Sequence, residues 1–126
     1  MTGVQSFHDL VVWQKSMKLA AIIYRLAKLM PRQEEYRLTS QMLRAAASVP
    51  ANIAEGHMRN SRKDYARFIS ISRGSLAELE TFLRLAIDVE LLKPEATFEA
   101  LGMADEVGRM LNSLRLRLEG PRSDTA

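Results

Sequence analysis

The chain contains no cysteine at all. Disulfide staples, thiol nucleophiles and thiolate metal sites are therefore excluded. Histidine is nearly as scarce. His8 and His57 stand far apart, and neither has carboxylates at a ligand spacing. A zinc site of protein nitrogen and sulfur is not expected, and no cofactor is. No apolar run reaches the ~18 residues that a membrane span needs. No basic stretch followed by an apolar one opens the chain, so no signal peptide is expected and the cytoplasm is the default compartment. Aromatic residues make up only 6% of the chain. A surface built from stacked rings, as single-strand binders use, has little material here.

What is present is apolar and charged in ordinary globular proportion, 47% and 26% of 126 residues. Such a length fits one domain, and such a composition makes disorder a poor reading for most of the chain. The net charge of +3 hides an asymmetry. Residues 1–75 carry 12 Lys and Arg against 5 Asp and Glu, whereas residues 76–126 carry 6 against 10. That imbalance suits an anionic partner on one surface, or basic-to-acidic pairing between identical subunits.

Apolar residues recur at steps of three and four through four segments. The spacing predicts helices over approximately 10–29, 34–55, 62–91 and 95–118, joined by short connections. Antiparallel neighbours follow, giving an all-α, up-down-up-down four-helix bundle over residues 1–126. Asp9 is the expected N-cap of the first helix, and residues 1–8 and 119–126 read as a loose lead-in and a frayed tail. Pro50 lies inside the second helix. One kinked helix is favoured over two, because Ala46, Val49 and Ile53 keep their spacing through it. Gly56 is expected to close that helix in a left-handed conformation. Ser61 and Asp64 have the spacing of a capping box for the third. Gly74 weakens the third helix, and close helix packing is the expected reason. The core stripe of the fourth runs through Phe98, Leu101, Ala104, Val107, Leu111, Leu114 and Leu118.

The first helix is apolar over an arc wider than one bundle needs. Beside a stripe containing Trp13, Met17 and Tyr24 run Leu19, Ile22, Ile23 and Leu26. Trp13, Leu19, Ile22, Ile23 and Leu26 are therefore the expected oligomer interface. A polar line on the second helix contains Gln41, Arg44, Ser48, Asn52 and Glu55. It reads either as solvated surface or as a hydrogen-bonded seam with the third helix. Glu78, flanked by Ile71, Phe82 and Leu85, is the candidate partner of Arg44 or Asn52; otherwise it reaches water. Arg59, Arg62, Lys63, Arg67 and Arg73 form a candidate phosphate-contacting patch, or a plain solvated basic face.

No catalytic arrangement is visible. Glu78 and Glu80 diverge on their helix, no E-x-x-H pair appears, and Gly56 and Gly74 fit no phosphate loop. An enzyme is not expected.

Several ordered motifs carry a family likeness. They are Phe7–His8–Asp9–Leu10 with Trp13–Gln14–Lys15; Leu38–Thr39–Ser40–Gln41 with Arg44–Ala45–Ala46; Ser48 through Gly56 with Arg59; and Gly74–Ser75–Leu76 with Glu78–Leu79–Glu80. Over roughly residues 7–118 the chain resembles the bacterial four-helix bundle proteins encoded by intervening sequences in 23S ribosomal RNA genes. The resemblance implies a homopentamer and one long second helix through Pro50. It is similar in fold to the accessory proteins of diversity-generating retroelements, which implies nucleic acid or a protein as partner. His57 and Met58 depart from the family, which often has an aromatic residue and a glycine there. A noncatalytic oligomeric scaffold that binds RNA or DNA nonspecifically is the expected function, with a protein–protein adaptor lacking any nucleic-acid role as the alternative.

Overall fold

The computed structural model describes residues 5–121. The expected tail therefore lies largely outside the described residues, as do the first four residues of the lead-in. Four helices run Val11–Ala27 (α1), Leu38–His57 (α2), Arg62–Asp88 (α3) and Pro94–Glu119 (α4). Each packs on two neighbours, α1 and α3 both lying against α2 and α4. This is the all-α four-helix bundle that the apolar spacing predicts. Leu19, Ile23, Met42, Val49, Ile53, Ile69, Leu79, Leu83, Val107 and Leu111 are at most 1% exposed and fill the centre.

The lead-in is better held than expected. Phe7–Asp9 form a 3-10 turn capped by Ser6, with the Asp9 carboxylate accepting from the Gln5 and Ser6 amides. Asp9 is therefore not the cap of α1; Leu10 occupies that position with no side-chain bond. The Phe7 and His8 rings stack at 4.2 Å, and both meet Trp13 edge-on at 5.3 Å.

The expected interface on α1 needs correction. Leu19, Ile22, Ile23 and Leu26 are at most 6% exposed within one protomer and belong to its own core. The other stripe faces outward, leaving Trp13 half-buried and Met17 and Tyr24 exposed. Both stripes have helical spacing, so periodicity does not rank them. The branched aliphatic side chains fill the bundle centre, and the thinner stripe of alanine, methionine and tyrosine is left at the edge.

α2 begins at Leu38 rather than Glu34, because Arg32–Glu34 form a separate 3-10 turn after Pro31. It continues unbroken through Pro50. Gly56 is not a left-handed terminator; among the described residues no glycine has a positive φ. It lies inside α2, where a Cβ would stand 2.9 Å from the Phe68 Cβ and 3.2 Å from the Tyr65 carbonyl oxygen. Met58 ends the helix in a right-handed conformation, so no glycine is required there.

Ser61 caps α3 by accepting from the Asp64 amide at 3.0 Å. α3 stops at Asp88, earlier than the apolar pattern suggests. Glu90 adopts a φ of 63°, and the Leu91 and Leu92 amides both turn back to the Ala86 carbonyl. That turn drives Leu92 into the core. On α4, Phe98 is 65% exposed, and Thr97 and Ala100 take the buried positions instead.

Gly74 is exposed, and a Cβ there would meet nothing within 4 Å. Close packing inside the protomer is thus not its reason. Gly74→Ala is expected to stabilise the protomer by about 0.5–1 kcal/mol, since only helix propensity changes. Urea unfolding at fixed protomer concentration measures this. A destabilised variant would mean that something outside the protomer covers Gly74.

Candidate nucleic-acid interface

The polar line on α2 resolves into a narrower seam. Ser48 Oγ and Ser75 Oγ lie 2.7 Å apart between α2 and α3. Asn52 Nδ2 donates to both the carbonyl and the hydroxyl oxygen of Ser48, each at 2.9 Å. Ser72, fully buried, donates to the Val49 carbonyl at 2.9 Å beside Pro50. Short hydroxyls suit this place, because they bridge two closely packed backbones without a charge to desolvate.

The outer members of the line do not join the seam. Gln41, Arg44, Glu55 and Glu78 are exposed. Arg44 and Glu78 border one small cleft, but no ion pair joins them among the described residues. The expected buried link is therefore absent. Both side chains reach water, where an ion pair between them would contribute little. Glu55 pairs instead with Arg59 at 3.0 Å.

The basic patch gathers at one end of the bundle. Arg59 comes from the α2–α3 turn, and Arg62, Lys63 and Arg67 from the first two turns of α3. The antiparallel fold returns the end of α4 to the same place, where Arg62 donates to the Arg117 carbonyl. Sequence reading missed Arg117, which sits in a leucine-arginine alternation at the end of an otherwise acidic half. Lys63 and Arg117 are exposed and unpaired among the described residues. Arg73 is exposed too, but lies six residues beyond Arg67, roughly 9 Å along α3, and does not line the cleft at this end.

Two residues order the patch. The carboxylate of Asp64 takes the Arg67 Nε and Nη2 at 3.0 and 2.9 Å, and its second oxygen lies 3.7 Å from the Arg59 Nε. It therefore does not close the expected capping box. The Arg59 and Arg67 guanidinium carbons sit 4.7 and 4.4 Å from the centre of the Phe68 ring. Phe68 reads from sequence as a core residue, and nothing in the spacing signals this second role. Beneath the patch, Tyr65 meets His57 edge-on at 5.8 Å. Burial pushes the Tyr65 hydroxyl above its usual pKa, and the charge of Arg117 works against that rise.

A second exposed feature is an apolar groove between α1 and α2. Trp13, Met17 and Tyr24 form one wall, with Ala47, Pro50 and Ala51 facing them. Of the expected interface residues, only Trp13 contributes to it. Among the described residues, no cluster of acidic residues and histidines is arranged to hold a metal ion. Nor is any helix long and apolar enough to cross a membrane.

Comparison with known proteins agrees with this architecture. The family model described as 23S rRNA-intervening sequence protein matches residues 8–113. A crystal structure from Bacteroides thetaiotaomicron, described as a protein with unknown function from the S23 ribosomal protein family, is 30% identical. The alignment covers 83% of this chain and 98% of that chain, with a TM-score of 0.78. No curated protein matches the chain.

Proposed function

The chain belongs to the 23S rRNA-intervening sequence protein family, and from that premise we propose that it is a noncatalytic, oligomeric scaffold that holds RNA or DNA by phosphate contacts at the basic end of its bundle. One observation carries the reading. Arg59, Lys63 and Arg67 line one cleft at that end, and Arg62 and Arg117 line a second that shares Leu118 with it, so cations from three elements gather at one end of the bundle. A cluster of that kind supports binding to phosphate, which is nonspecific in sequence and sensitive to salt. The homopentamer implied by the family resemblance would present five such ends. Their joint avidity offsets the modest charge of each copy. The cytoplasm, where ribosomal RNA is abundant, is the compartment this reading requires.

The combined variant R59Q/R62Q/K63Q tests it against a labelled RNA duplex across a salt series. If each cation meets one phosphate, affinity at about 0.1 M salt falls roughly a hundredfold, and the salt slope shrinks by about 2–3. Unchanged affinity and slope would reject the patch. Light scattering on the purified protein tests the pentamer, against which a clean monomer would count.

The groove of Trp13, Met17 and Tyr24 favours a second reading, a protein–protein adaptor with no nucleic-acid role. An apolar partner held there would stay bound at high salt and after nuclease treatment.

A further inference from the structure

We propose that Arg59 and Arg67 form a subsite for one phosphodiester of the bound nucleic acid, and that Asp64 occupies this subsite in the free protein. The proposal rests on the nucleic-acid reading above and names how that site is filled and emptied.

The Nε/Nη2 edge of arginine is the edge that meets a carboxylate or a phosphate with two roughly parallel bonds. In Arg67 that edge is turned onto one oxygen of Asp64, at 3.0 and 2.9 Å. The other oxygen of the same carboxylate faces Arg59, 3.7 Å away. One chain anion therefore bridges two guanidiniums from separate elements. The two nonbridging oxygens of a phosphodiester form a similar two-pronged acceptor.

Asp64 is not the only support of the two arginines. Both lie against Phe68, at 4.7 and 4.4 Å, and Arg59 is also held by Glu55. Phe68 in turn is pinned against the Gly56 backbone of α2. When the Asp64 side chain swings away, two oriented cations remain. Asp64 is two-thirds buried at its side chain, whereas Arg67 is more than half exposed, so an incoming anion reaches the arginines from the solvent side. Because the guanidiniums cover Phe68, this ring serves to hold cations rather than to stack on bases. The ligand is thus the sugar–phosphate backbone, read without base preference.

Two substitutions test the subsite on a labelled 20-base-pair RNA duplex, followed by anisotropy over a salt series. D64N removes the internal competitor. It should bind about threefold to tenfold more tightly and steepen the salt slope by about 1. R67K keeps the charge but loses the planar fork, and should weaken binding about threefold or more. Thermal melting checks that both variants fold; should D64N fold poorly, R67K decides alone. If the wild type binds and R59Q/R62Q/K63Q weakens it, while D64N gains nothing or R67K matches wild type, the subsite is wrong and the nucleic-acid reading stands. If the wild type does not bind the duplex even at low salt, both fall.

Discussion

Ile53→Ala should lower the stability of the protein by about 2–5 kcal/mol, the largest loss expected from any single change considered. Ile53 has no exposed surface and sits one turn beyond Pro50 on α2. Pro50 deprives α2 of one backbone bond at a cost of roughly 3 kcal/mol. That helix persists because Val49 and Ile53, on either side of the proline, are sealed in the core. Truncating Ile53 removes buried apolar surface where the helix most needs it. In a chain of this size each kcal/mol moves Tm by roughly 3–6 °C, so the shift is large. Urea unfolding at fixed protomer concentration measures it, since association would otherwise contribute. A loss below about 1 kcal/mol would mean that Ile53 is not packed as described.

Gly56→Ala should be the next most damaging, at about 1–3 kcal/mol. The sign is the instructive part. Alanine improves helix propensity by up to ~1 kcal/mol, as it should at Gly74. At Gly56 that gain is opposed by a Cβ placed 2.9 Å from the Phe68 Cβ and 3.2 Å from the Tyr65 carbonyl oxygen. Neither atom is the end of a flexible side chain, so α2 and α3 must separate. The same substitution at two helical glycines thus has opposite effects, decided by what stands opposite each. Gly56→Ala has a second consequence. Moving Phe68 displaces the ring on which Arg59 and Arg67 rest, so RNA binding should weaken even in molecules that stay folded. Melting together with duplex binding separates the two effects. A variant as stable as wild type would show that the α2–α3 corner is looser than the distances imply.

The seam between α2 and α3 shows how side-chain size is matched to helix separation. Ser48, Ser72 and Ser75 bridge the pair with hydroxyls, and Gly56 closes its end. A longer polar side chain in the seam would force the helices apart. Arg44 and Glu78, which have that length, stand outside it in water.

Much of this was legible in the sequence. Four apolar repeats at steps of three and four specify four helices, and their short connections specify antiparallel neighbours. The basic residues near the second turn were visible as a run. The residues that face the core on α1 were not, because two stripes have the same period. Only the packing of α2 and α4 against α1 chose Leu19, Ile22, Ile23 and Leu26 over Met17 and Tyr24. Glycine was also illegible, since Gly56 and Gly74 look alike as letters and differ only in their surroundings.

Sequence by itself therefore determined the helices, because helical period is a local property of neighbouring residues. Tertiary structure decided the site. The Arg117 carbonyl reaches Arg62 only because α4 runs back to the end where α3 begins, and Arg59 reaches Asp64 and Phe68 only because the α2–α3 turn folds it back onto α3. Period acts over a few residues, whereas the meeting of charges depends on how whole helices are laid against one another.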